Sequence, residues 1–114
     1  MEITVEGYFN RIDPRKNIRI INMEDEFKTK LENCEKNMGF KDDFLSPILP
    51  NGIKIKHDKQ ALVYDIDNKP TSTSMLIGQK VKAVVKVKKY RFCIPKSENY
   101  LIGWNVKLVK MNAI

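Results

Sequence analysis

Apolar and polar residues alternate along two long runs late in the chain, from Gly78 to Phe92 and from Tyr100 to Met111. One parity of the first run is apolar and comprises Val81, Ala83, Val85 and Val87. The other parity is mostly lysine and ends in two aromatic residues: Lys80, Lys82, Val84, Lys86, Lys88, Tyr90 and Phe92. Because successive side chains of a strand point to opposite faces of a sheet, the pattern predicts two paired antiparallel strands with an apolar face and a basic face.

Shorter alternating stretches precede this pair of strands. Residues 3–9 and 17–23 flank a turn signal at Asp13 and Pro14, so they predict a hairpin. Residues 53–57 predict a third strand and residues 60–64 a short fourth strand. Residues 41–52, in which Phe44, Ile48 and Leu49 are expected to point inward, and residues 65–74 predict loops.

One helical pattern interrupts the strands. Phe27, Leu31, Cys34 and Met38 recur at helical spacing, three acidic residues open the first turn, and Gly39 follows. This pattern predicts a helix from Glu24 to Met38 that packs its apolar stripe on the sheet. The predicted fold is therefore mainly β: a single domain of residues 1–114 that forms a small antiparallel β-barrel of five or six strands with one α-helix.

The charge of the chain is unevenly distributed. The formal net charge is +7. Between Gln79 and Lys110 the only acid is Glu98, and the basic residues there are Lys80, Lys82, Lys86, Lys88, Lys89, Arg91, Lys96, Lys107 and Lys110. A basic stretch of this kind favours a polyanionic partner such as nucleic acid.

The lysine face of the first long strand combines cations with aromatic rings, as a platform for single-stranded nucleic acid requires. The candidate binding residues are Lys80, Lys82, Lys86, Lys88, Tyr90, Arg91, Phe92, Trp104 and Lys107. Three alternatives stay open. The lysines could guard an exposed strand against aggregation, a bulge after Lys88 could bury Tyr90 and Phe92, and Trp104 could pack in the core with Ile102, Val106 and Leu108.

Residues for catalysis or metal binding are sparse. The glycines are isolated, His57 has no second histidine to pair with, and Asp65 with Asp67 would make a weak metal site. Cys93 beside Arg91 is either a reactive thiol or a small apolar filler. We expect no enzymatic activity, no metal and no cofactor. Met1 is not followed by a signal-peptide pattern and no apolar run spans a bilayer, so we expect an intracellular protein that is neither secreted nor membrane-bound.

The end of the chain resembles OB-fold single-stranded DNA-binding proteins, notably those of large DNA viruses and phages. The resemblance covers the last third of the chain and rests on the residues Gly78, Val81, Tyr90, Phe92, Gly103, Trp104, Asn105, Val106 and Leu108. It implies an OB-like barrel whose lysine face holds the nucleic acid, flanked by residues 65–74 and 95–100. The predicted helix departs from the family, because it follows the second strand rather than the third.

Two classes of function follow from these patterns. The first is non-catalytic binding of single-stranded nucleic acid, DNA rather than RNA, with little sequence preference. The second is a protein-interaction or assembly subunit whose basic face meets an acidic partner. A homo-oligomer is compatible with either class. Affinity that falls steeply with salt would favour the first class over the second.

Overall fold

The two long alternating runs form the longest strands of the sheet. The computed structural model describes residues 1–41, 43–94 and 100–114 of the chain, and the side chain of Phe92 is outside the described part. The elements in chain order are β1 (Glu2–Ile12), β2 (Asn17–Ile21), α1 (Asp25–Asn37), β3 (Ile48–Leu49), β4 (Gly52–Lys56), β5 (Leu62–Tyr64), a 3-10 helix (Thr73–Leu76), β6 (Lys80–Cys93) and β7 (Tyr100–Ala113).

The strands form one sheet that closes on itself. β1 pairs antiparallel with β2 and with β6, β2 pairs with β4, and β6 pairs with β7. A parallel contact between Lys56 of β4 and Lys107 of β7 completes a ring in the order β1–β2–β4–β7–β6. β3 adds to β4, and β5 adds to β7. The fold prediction is confirmed in this form: a mainly β, barrel-like sheet with one α-helix.

Alternation along the strands separates the core from the outer face. On β6, the apolar parity of Val81, Ala83 and Val85 is buried, whereas Lys82, Lys86 and Lys88 are exposed. The largest fully buried side chains are Trp104, Phe9, Ile18, Ile20, Leu31, Ile53, Ile55, Leu76, Leu108, Met111, Val5 and Val81. The pairing of β6 with β7 shifts between Val84 and Val85 and is regular from Lys88 to Cys93. The alternative of a bulge after Lys88 is therefore wrong.

The helix lies within one residue of its predicted ends. The predicted stripe packs inward, with Phe27, Leu31 and Cys34 buried and Met38 half-buried. Gly39 follows with a φ of 69°, a left-handed conformation that glycine adopts without a steric penalty. Lys89 of β6 donates to the Met38 carbonyl at 3.2 Å, which satisfies one backbone acceptor at this end of the helix.

β3 is the main difference from the predicted arrangement. It occupies two residues of the segment predicted as a loop, which gives seven strands rather than five or six. A two-residue strand is too short to show the alternation that identifies strands in a sequence. Phe44, Ile48 and Leu49 are half-buried, as the inward orientation predicted for them requires. Cys34 is buried, Cys93 is exposed, and both are free thiols. Within the described residues, no helix has the length and apolar character needed to cross a membrane.

Candidate functional site

Three lysines lie side by side across three neighbouring strands of the ring. Lys86 of β6 faces Lys107 of β7, and Lys107 faces Lys56 of β4. We call these three residues the lysine row. All three side chains are exposed, because each occupies an outward position of its strand. Like charges placed directly opposite one another on a sheet are unfavourable, and adjacent strands are only about 4.8 Å apart. Asp58, which contacts Lys107, and Glu2, which lies opposite Lys86, offset part of the repulsion within the row, and an anion that bridges the ammonium groups would reduce it further.

The row borders a groove that runs over the outer face of β7, β4 and β2. Three adjoining hollows of about 310, 370 and 290 Å³ make up this basic groove. Lys56, Tyr90 and Asn105 line both the first and the second hollow. The second and the third hollow share Arg15, Asn17 and Lys54. The cations that line the groove are Arg11, Arg15, Arg19, Lys54, Lys56, Lys88 and Lys107.

Two carboxylates moderate the positive charge at the groove. Asp13 accepts the backbone N–H of Arg15 and of Asn17 at 2.9 Å, and its other oxygen lies 3.7 Å from Arg19 Nε. The bond from the Asn17 N–H is the largest of the effects that lower the pKa of Asp13. Asp58 accepts the N–H of Gln60 at 3.1 Å, and its Oδ2 lies 3.1 Å from Lys107 Nζ. The backbone bond from Gln60, followed by the contact with Lys107, lowers the pKa of Asp58.

Tyr90 is the aromatic side chain that the structure places in the groove. It is half-buried and lies opposite Gly103 on the neighbouring strand. A Cβ atom at Gly103 would lie 2.9 Å from the Tyr90 hydroxyl and 2.6 Å from the Leu45 carbonyl oxygen, so only glycine allows both to approach this closely. An aromatic ring packed across a glycine stabilises an antiparallel pair. Tyr90 therefore supports the hairpin and also offers a ring at the surface of the groove.

Trp104 belongs to the core and does not stack on the outer face as a ligand platform. Its side chain is 1% exposed, and its indole Nε1 donates to Glu35 Oε2 at 2.8 Å. The Ser46 hydroxyl donates to the same oxygen, which ties β7, α1 and the segment before β3 together. The prediction of Trp104 as a stacking residue is corrected by this burial, and the core alternative is confirmed. Trp104 also lines the 370 Å³ hollow, but almost none of its surface is accessible there.

The other predicted candidates separate into two groups. Lys86, Lys88, Tyr90 and Lys107 lie in or beside the groove. Lys80 and Lys82 share the outer face of β6 but lie opposite Tyr8 and Glu6 of β1. Lys80 is eight residues from Lys88, which is about 26 Å along an extended strand.

Arg91 does not join the groove either. It has the opposite parity from Tyr90 on β6, and its guanidinium carbon is 3.8 Å from the centroid of the Tyr100 ring. The candidates Phe92, by its side chain, and residues 95–99 lie outside the described part of the chain. In the loop of residues 65–74, Thr73 Oγ1 lies 2.9 Å from Nε2 of His57, the residue before Asp58.

Five basic residues of the groove were not among the sequence candidates: Arg11, Arg15, Arg19, Lys54 and Lys56. The alternation in residues 53–57 already placed Lys54 and Lys56 on an outward face. The missing information was the contact between β4 and β7, which joins positions 56 and 107. Within the described residues, no cluster of three His, Cys, Asp or Glu side chains is arranged to hold a metal ion.

Comparison of the chain with protein-family models, with curated proteins and with solved structures found no match.

Proposed function

We propose that this protein binds single-stranded nucleic acid, without catalysis, in the basic groove. The lysine row carries the proposal, because three lysines that repel one another in the free protein are stabilised when phosphates lie between them. Lysine provides a flexible point charge rather than a planar fork, so it suits contacts to the backbone better than reading of bases. We therefore expect little sequence preference, and the resemblance of the last third of the chain favours DNA over RNA.

The position of the groove supports the proposal. OB-fold barrels are five-stranded Greek-key barrels that bind oligonucleotides on their second and third strands and on the loops after the first and fourth strands. The second and third strands of the ring here are β2 and β4, which carry Arg19, Lys54 and Lys56. Arg15 lies on the connection after the first strand. The helix here follows the second ring strand, whereas in OB folds it follows the third. The similarity to OB folds is therefore limited to the ring of strands and its basic surface.

A single strand suits this surface better than a duplex does. A single strand can lay a base on the Tyr90 ring while its phosphates follow the lysines, whereas a duplex keeps its base faces stacked inside. Stacking on an aromatic ring works with every base, because each base has a π face. The groove therefore offers charge and one ring, which together favour an extended, unpaired strand.

A direct test is a fluorescence-anisotropy titration of the protein with labelled single- and double-stranded oligonucleotides of about 15 nucleotides, a length comparable with the sites of OB folds. We expect the single strands to bind more tightly and log K to fall linearly with log salt. Equal affinity for duplex and single strand, or an affinity insensitive to salt, would refute the proposal. If no oligonucleotide binds, the second class of function remains, in which the groove binds an acidic protein partner.

Replacement of Tyr90 separates stacking from charge. We expect Tyr90→Leu to weaken binding by about 1 kcal/mol, the lower end of the range for a stacked base, because the ring is half-buried on Gly103. Leucine keeps an apolar cover over the glycine, so the hairpin is retained. The slope of log K against log salt should stay unchanged, since no charge is lost. The measurement is the same titration at four salt concentrations.

The matched control for that variant is Tyr8→Leu. Tyr8 is 45% exposed on β1, opposite Lys80, and does not line the groove. We expect this variant to bind like the parent protein. Equal losses for Tyr8→Leu and Tyr90→Leu would show that the Tyr90 ring does not stack on a base.

A further inference from the structure

Asp58 holds the central member of the lysine row. Its Oδ2 lies 3.1 Å from Lys107 Nζ, and Lys107 stands between Lys86 and Lys56. Asp58 lies two residues beyond the end of β4 and is fixed by its own turn, in which its Oδ1 accepts the N–H of Gln60 and its carbonyl accepts the N–H of Ala61. The carboxylate is therefore held at the row by the backbone rather than by the ion pair alone.

We propose that Asp58 is a built-in competitor of the ligand, occupying at Lys107 the place that a phosphate of the nucleic acid takes on binding. This inference rests on the proposed function. In the free protein the carboxylate offsets the repulsion among the three lysines. On binding, a phosphate takes over the contact with Lys107, and Asp58 loses its ion pair. Asp58 thus lowers the affinity for the strand and promotes its dissociation.

The exposure of the pair makes this exchange feasible. The side chains of Lys107 and Asp58 are 51% and 24% exposed, so water and an incoming phosphate reach the ammonium group directly. Exposed ion pairs are weak, since solvent and salt screen them. A pair of this kind can be broken at a small cost, which sets the expected change in affinity at about two- to fivefold.

The test compares Asp58→Asn with Asp65→Asn. Asparagine at position 58 can still accept the Gln60 N–H, so the substitution removes the charge and keeps the turn. Asp65 provides a matched control, because its Oδ1 likewise accepts the N–H groups of Asp67 and Lys69 at 2.9 Å and it does not line the groove. Both variants raise the net charge by one. With a single-stranded DNA oligonucleotide in low salt, we expect Asp58→Asn to bind about two- to fivefold more tightly than Asp65→Asn.

The salt slope and a second substitution give independent readouts. The slope for Asp58→Asn should be steeper by about 0.7, the value of one phosphate contact on a single strand. When Lys107→Ala is added to each variant, the difference in affinity between them should disappear, because Asp58 acts through Lys107. Asp58→Asn should also melt below Asp65→Asn at low salt, and the two melting temperatures should converge at about 1 M salt, where charges are screened.

The outcomes distinguish this inference from the function on which it rests. If the parent protein binds single strands but Asp58→Asn and Asp65→Asn have equal affinity, the competitor role is refuted and the proposed function stands. A gain that survives Lys107→Ala also refutes it. If neither the parent nor either variant has a salt-sensitive affinity for single strands, the proposed function fails and the competitor role fails with it.

Discussion

Replacing Lys56 and Lys88 together with alanine is expected to weaken the binding of a single-stranded oligonucleotide about 25-fold at 0.1 M salt. Both lysines line the 310 Å³ hollow, together with Tyr90 and Lys107. Each phosphate contact on a single strand contributes about 0.7 to the slope of log K against log salt. The loss of two contacts makes the slope shallower by about 1.4. Over the tenfold range from 1 M to 0.1 M salt, this change corresponds to a difference of roughly 25-fold in the binding constant. The measurement is an anisotropy titration at several salt concentrations.

The control for this variant is the replacement of Lys80 and Lys82 with alanine. It removes the same number of positive charges, and Lys80 shares the outer face of β6 with Lys88, but Lys80 and Lys82 lie opposite Tyr8 and Glu6, away from the groove. We expect a loss of affinity of less than about threefold, arising from the long-range field alone. Similar losses for the two double variants would contradict the groove and would mean that net charge alone governs binding.

The sequence pattern identified β6 as a basic strand, but it did not show which of its lysines have acidic neighbours and which have basic neighbours. Alternation along β6 correctly assigned Val81, Ala83 and Val85 to the core and the lysines to the outside. The neighbours of each lysine depend on pairing with other strands. Lys82 faces Glu6, whereas Lys86 lies between Glu2 and Lys107. Such neighbours are set by strand register, which a local pattern does not contain.

The remaining differences between the sequence candidates and the structure have separate physical causes. Trp104 shares its parity with Val106 and Leu108, so its burial could be predicted from alternation. Its hydrogen bond to Glu35 could not be predicted in this way, because the two residues are 69 positions apart in the chain. Arg91 shares its parity with Val85, and its guanidinium lies beside the Tyr100 ring rather than at the groove. The groove itself needed the parallel contact between β4 and β7, where a single residue pair closes the ring. A contact of this kind cannot be predicted from the periodicity of the sequence.

The helix was predictable because its signals are local. An apolar stripe, acidic residues in the first turn and a glycine after the last turn all lie within a single segment of the chain. Its place in the fold followed less directly. The helix is tied to β7 by Glu35, which accepts from Trp104 and from Ser46, and to β6 by Lys89. These contacts attach the helix to one side of the ring, and the residues that line the three hollows of the groove do not include any of α1.

Replacing Leu31 with alanine tests this structural role of the helix. Leu31 has no exposed surface and lies in the main hydrophobic core. Truncation of a fully buried leucine removes its apolar contacts and leaves a cavity, so we expect the free energy of unfolding to fall by about 2–5 kcal/mol. Urea denaturation would measure the change as a lower midpoint with an unchanged m-value. Once folded, the variant should bind single strands like the parent protein.

Asn33→Ala on the exposed side of the same helix is the control. It should change the free energy of unfolding by no more than about 0.5 kcal/mol, since surface substitutions usually fall in that range. A loss of less than about 1 kcal/mol for Leu31→Ala would contradict the close packing of the helix on the sheet, because a buried leucine ordinarily contributes more. Weaker nucleic-acid binding by folded Leu31→Ala would show instead that the helix shapes the groove, with the bond between Glu35 and Trp104 as the connection to examine.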